Sequence, residues 1–137
     1  MTGQLSRLYS RDMNMPKRNI LIVEDEYITA LDIKTQLTSQ NPYNVEIVSS
    51  GEQAVKKAKK NKLDLILMDI KLKGELDGID AAEIIRKERY IPIVYLSGNS
   101  DLLESARLKK TKHEGTLSKP IYEYKLIEIT NKVLTSS

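Results

Sequence analysis

Cysteine is absent from the 137 residues, as are tryptophan and phenylalanine, and histidine occurs once. Without thiols there is neither a disulfide framework nor a thiolate metal site. No apolar run approaches the roughly 20 residues of a membrane span, and no signal-peptide pattern opens the chain. A cytoplasmic location with no membrane partner is therefore expected. An excess of one charge is also lacking. The 22 basic and 19 acidic residues leave only +3, too mild to argue for nucleic acid as a partner. The one dense basic block, Lys56-Lys57-Ala58-Lys59-Lys60, reads as a solvated helix face and helix C-terminus, where cations are favoured. Hydrophobic residues make up 40% and charged residues 30%, the balance of one small globular domain able to bury a core.

What the chain does have is a series of short apolar runs that end in chemistry. Ile20-Leu21-Ile22-Val23 closes on Glu24-Asp25-Glu26, and Leu65-Ile66-Leu67-Met68 closes on Asp69. Continuous apolar runs of this length read as strands buried on both faces, as in parallel sheets. Strands are expected at 19–24, 44–48, 64–69, 92–96 and 114–118. Between and after them helices are expected at 27–39, from 49–52 to 60, and at 78–89, 99–109 and 121–134. The first helix would bury a stripe of Ile28, Leu31 and Leu37. Five strands alternating with five helices predict an α/β fold, a flavodoxin-like doubly wound parallel sheet of order 2-1-3-4-5 with right-handed crossovers. Residues 1–18, polar and basic, read as a flexible N-terminal extension, and 19–137 as the domain itself.

In such a sheet ligands bind at the carboxyl ends of the strands, at the switch point between strands 1 and 3. Both acidic clusters fall there. Strand 4 ends at Ser97-Gly98 and strand 5 at Lys119-Pro120, so a hydroxyl and an ammonium join them. Clustered carboxylates need a compensating cation, and their hard oxygens point to Mg²⁺.

With these residues placed, the chain resembles a receiver domain of the two-component response-regulator family. The matching stretches are Ile20 to Glu26, Leu67-Met-Asp-Ile70 with Asp77-Gly78-Ile79, Pro92 to Gly98, and Leu117-Ser-Lys-Pro120. The segment Met68-Asp-Ile-Lys-Leu-Lys-Gly74 is similar to a subgroup with Met-Asp-Ile-x-Leu-x-Gly. The resemblance implies that Asp69 accepts a phosphoryl group, with Mg²⁺ held by Asp25 and Asp69 directly, by Glu24 through water and by the Lys71 backbone carbonyl. Lys119 would bind the phosphoryl group, Ser97 would be the hydroxyl switch, and Lys119-Pro120 would be a cis peptide. The donor would be a sensor histidine kinase or phosphotransfer protein. Output would pass to a downstream protein, with dimerisation as an option, through the face made by the fourth helix, fifth strand and fifth helix. Leu102, Leu103, Tyr122 and Tyr124 are the anchors available there. The chain would be no enzyme beyond catalysing its own phosphorylation and dephosphorylation. Lys71 and Asn99, two residues beyond Asp69 and Ser97, would set the phosphoryl lifetime, Lys71 by shielding it.

Three departures from the common pattern stand out. The loop from Asp69 to Asp77-Gly78 is one residue longer than in the chemotaxis regulator and lacks the usual proline. The switch aromatic three residues before the lysine is Thr116, and Tyr95, on the same strand face as Ser97, is either its substitute or a plain core residue. Gly98 replaces the more usual alanine. A flavodoxin would need a phosphate loop where Glu24-Asp25-Glu26 stands. A haloacid-dehalogenase-type phosphatase would need Asp-x-Asp at strand 1, and a Walker NTPase its glycine-lysine loop. A phosphorylation-independent interaction module with this fold would lack a site residue, and none is missing. His113 reads as a surface residue.

Overall fold

The computed structural model describes residues 17–39 and 41–135. The segment expected to be a flexible extension falls almost wholly outside them. Its last two residues are seen, and Arg18 donates to the Leu134 carbonyl at 3.0 Å and lies 3.8 Å from Asp64. In chain order the elements are β1 (Asn19–Val23), α1 (Tyr27–Thr38), β2 (Asn44–Val48), α2 (Gly51–Lys60), β3 (Leu65–Asp69), α3 (Gly78–Glu88), β4 (Ile93–Ser97), α4 (Ser100–Leu103), α5 (Ala106–Lys110), β5 (Gly115–Ser118) and α6 (Glu123–Thr135). The five strands form one parallel sheet of order β2-β1-β3-β4-β5.

Sheet position follows from burial. Every residue of the central strands β3 and β4 is buried, whereas the edge strands β2 and β5 are half exposed. Side chains alternate between two cores, as the period of two requires. Leu21, Val23, Ile66, Met68, Ile93 and Tyr95 pack with Ala54, Ala58, Ile79, Ile85 and Leu108 on one side. Ile20, Ile22, Leu65, Leu67, Val94 and Leu96 pack with Ile33, Leu37, Leu126 and Val133 on the other. Truncating one of these to alanine would cost about 2–5 kcal/mol.

The helices start where side chains satisfy their free N–H groups. Ser50 accepts from the Gln53 N–H to cap α2, and Asp77 and Asp80 form a reciprocal capping box on α3, each cap contributing about 1 kcal/mol.

Two sequence expectations are corrected. The stripe buried by α1 is Ala30, Ile33 and Leu37, while Ile28 is 83% and Leu31 38% exposed. The predicted fourth helix is two short segments. The break comes at Glu104-Ser105, where the Ser105 hydroxyl accepts from the Leu108 N–H and starts α5 afresh. Smaller shifts are of one or two residues at element ends.

Candidate functional site

The carboxyl ends of β1, β3, β4 and β5 open onto a cleft of about 530 Å³, whose walls include Asp25, Asp69, Lys71, Ser97, Asn99 and Lys119. Oxygens of Glu24, Asp25 and Asp69 all lie within 4.8 Å of one another. Glu24 and Asp69 are buried, Asp25 less so. Lys119 Nζ reaches both buried acids, donating to Glu24 Oε1 at 2.5 Å and to Asp69 Oδ2 at 3.3 Å. That reach is set by backbone. The Lys119 N–H donates to the Ser97 carbonyl at 2.8 Å, extending the β4–β5 ladder by one residue, and a cis Lys119-Pro120 bond follows.

Each acid has a second hold. The Glu26 N–H donates to Glu24 Oε2 at 3.2 Å, and the Lys71 N–H to Asp69 Oδ1 at 3.4 Å. Burial pushes the Glu24 carboxyl up to about 7, with the Lys119 ammonium opposing that rise and the Asp69 charge adding to it. Burial would lower the Lys119 ammonium, but Glu24 and Asp69 outweigh it and raise it. Of the cleft's lysine ammonium groups only that of Lys119 bonds to the clustered acids Glu24, Asp25 and Asp69 among the described residues, and clustered hard oxygens are what a small divalent cation takes as ligands.

Ser97 is buried at the end of β4, and its hydroxyl is turned into its own loop. It accepts from the Asn99 N–H at 3.0 Å and donates to the Asn99 carbonyl at 3.2 Å. Asn99 in turn uses its side-chain oxygen to accept from the Asp101 N–H and begin α4. At Gly98 an added Cβ would meet nothing closer than Lys119 at 4.0 Å, so the loop is open on that side. Lys71 is exposed at the rim.

The loop after Asp69 follows its motif. Leu72 turns into the core, and Gly74 takes a φ of +103°, a left-handed conformation that favours glycine. Lys73, two residues past Lys71, also lines the cleft; the motif's spacing was the available signal for it. Gly78 is required for a different reason. A Cβ there would overlap the Asp69 backbone carbonyl.

Tyr95 is wholly buried in the core, its hydroxyl without a hydrogen-bond partner among the described residues, and Thr116 is exposed beside it across the β4–β5 pairing. His113 is half-buried, not a plain surface residue. Its ring meets Tyr95 edge-on with centroids 5.3 Å apart, and its Nδ1 lies 2.7 Å from the Thr111 carbonyl. Leu102 is turned toward the core and the cleft and so offers no free anchor. The side chain of Leu103 lies outside what is described. Tyr122 and Tyr124 are exposed and stacked on each other at 6.3 Å.

Comparisons with known proteins agree with this geometry. The family model for the response regulator receiver domain matches residues 20–131. Transcriptional regulatory protein PdtaR of Mycobacterium tuberculosis is 40% identical over 109 residues, which is 78% of this chain and 51% of that protein. The chain thus spans about half the length of that relative. Among solved structures, the N-terminal domain of a response regulator/sensory box/GGDEF protein from Carboxydothermus hydrogenoformans is 33% identical with a TM-score of 0.80, covering 87% of this chain and 95% of that one. The receiver domain of a sensor histidine kinase from Pseudomonas aeruginosa, with a magnesium ion coordinated in its active-site cleft, is 31% identical with a TM-score of 0.79, covering 88% and 99%. Fold, strand-end chemistry and family match converge, and the chain belongs to the response regulator receiver domain family of two-component systems.

Proposed function

We propose that this chain accepts a phosphoryl group on Asp69 from the phosphohistidine of a sensor histidine kinase or phosphotransfer protein, and passes the signal on by protein contact. The observation carrying this reading is the reach of Lys119 from β5 to the buried carboxylates of both β1 and β3. An acid that is to attack a phosphoryl group must be held where its target's negative charge is offset.

The donor set fits Mg²⁺. Asp25, Asp69 and the Lys71 carbonyl would hold it directly and Glu24 through water; when bound, it neutralises charge on the phosphoryl oxygens. The chain's own groups do the positioning, which is most of what phosphoryl transfer needs. An Asp69 oxygen forms the new P–O bond as the donor's P–N bond breaks, and the leaving imidazole nitrogen takes a proton. Lys119 stays protonated throughout, since its two acids raise it, and can hand one of its hydrogen bonds to a phosphoryl oxygen. Ser97 must leave its Asn99 contacts to do the same, so the change at Asp69 would be felt in the loop leading to α4. Lys71 at the rim would shield the acyl phosphate from water. No other substrate is turned over in this reading. Output would leave through α4, α5, β5 and α6.

Incubation with acetyl phosphate and Mg²⁺ should add one phosphoryl group by intact mass, and none without the metal. Asp69→Asn should abolish the gain, and Lys119→Ala should greatly reduce it. Labelling that survives unchanged in Asp69→Asn would overturn the assignment.

A further inference from the structure

Away from the acidic cleft, a second concavity lies between the C-terminal turns of α3 and α5. Its volume is about 550 Å³, and its walls include Arg86, Lys87 and Tyr90 from one side and Arg107, Lys110 and Lys112 from the other. The two arginines are already neutralised within the molecule. Arg86 pairs with Glu114 at 3.1 Å, and Arg107 with Asp77 at 2.6 Å and with Asp80. Glu83, the carboxylate in the wall, is 3.9 Å from Arg107. Lys87, Lys110 and Lys112 are exposed and have no carboxylate within 4.0 Å among the described residues.

Cations at helix C-termini are favoured by the dipole, which accounts for Lys87 and Lys110 one at a time. It does not account for Lys112, which lies beyond α5 with its ammonium 5.4 Å from the Tyr90 ring centre. Nor does it account for the convergence of three uncompensated charges on one concave wall around an aromatic ring that is 58% exposed.

We propose that this cleft docks an acidic segment of a partner protein. Lys87, Lys110 and Lys112 would take its carboxylates, and Tyr90 would pack against its apolar atoms. Polypeptide fits better than nucleic acid because the arginines, whose forked donors suit phosphate, are held by carboxylates.

The test is titration of the full chain with an oligo-glutamate peptide, read by amide chemical shifts and by affinity. A single-stranded oligonucleotide of equal charge serves as a parallel arm. Shifts should centre on Lys87, Tyr90, Lys110 and Lys112. Reversing the three lysines together (K87E, K110E, K112E) should weaken peptide binding ~tenfold or more, and Tyr90→Ala should weaken it without charge change. The matched reversal of the exposed Lys56, Lys59 and Lys60 should leave it within ~twofold. The proposal fails if both triple reversals cost the same, if the peptide does not bind, or if the oligonucleotide takes the cleft more tightly.

Discussion

Gly78 shows how much one side chain's absence can hold in place. Its backbone N–H donates to the Ile70 carbonyl at 2.8 Å, and the space where a Cβ would sit is filled by the Asp69 carbonyl. The contact fastens the start of α3 under the residue that carries the proposed chemistry. Gly78→Ala should therefore cost roughly 2–3 kcal/mol, because the neighbour that must yield is backbone. Urea unfolding would read this as a lower midpoint. An unchanged midpoint would mean the loop relaxes freely. The sequence named Gly78 as part of a motif, but the reason for it needed the fold. Tyr95 is the opposite case. The strand period put it on the same face as Ser97, and the structure places it wholly in the core, where a packing role explains it without any motion.

At the scale of elements, α1 is where sequence and structure part most. Ile28 and Leu31 fit a helical spacing, but the face turned to the sheet carries the small Ala30 with Ile33 and Leu37. Periodicity alone cannot say which of two overlapping stripes faces inward when both contain apolar residues. The error is informative, because Tyr27 and Ile28 are left 65% and 83% exposed immediately after the acidic loop of β1. A protein donor that brings a phosphohistidine to Asp69 must touch this rim, whereas acetyl phosphate need not. Ile28→Glu should accordingly slow transfer from a protein donor about tenfold and leave acetyl phosphate labelling unchanged. Equal rates from the protein donor in both chains would remove α1 from the docking surface. The strands were legible for a different reason. A continuous apolar run ending in a charge has few readings other than a central parallel strand. The split of α4 from α5 was not legible, since Ser105 reads equally well as a helix interior residue and as a cap.

The whole molecule's response to acid should show the Arg107 clamp. Arg107, on α5, spans Asp77 and Asp80 at the start of α3. Burial would raise the Asp77 carboxyl, but the Arg107 guanidinium and the Asp80 N–H outweigh it and hold it below its ordinary value of 3.8. A carboxyl lowered by folding adds stability that is fully present above its unfolded value and disappears as pH falls through its folded one. Arg107→Ala should thus destabilise the protein at neutral pH by roughly 0.5–1 kcal/mol, the modest amount a surface pair gives, and the gap between variant and parent should close as pH falls below the ordinary value of 3.8 and through the lowered folded one. Urea midpoints across pH would test it; a gap that persists undiminished in acid would mean that Arg107 acts by packing alone.

Because every strand runs parallel, the strand ends that build the acidic cleft and the helix ends that carry Lys87 and Lys110 lie toward opposite ends of the sheet. A strand of five residues separates them by roughly 17 Å. Two visitors of opposite charge would then have separate berths on one copy of the chain, and neither need depart before the other arrives. Order of arrival becomes free: a reader could already be aboard when the donor delivers, so the message would not have to wait for a second search through solution.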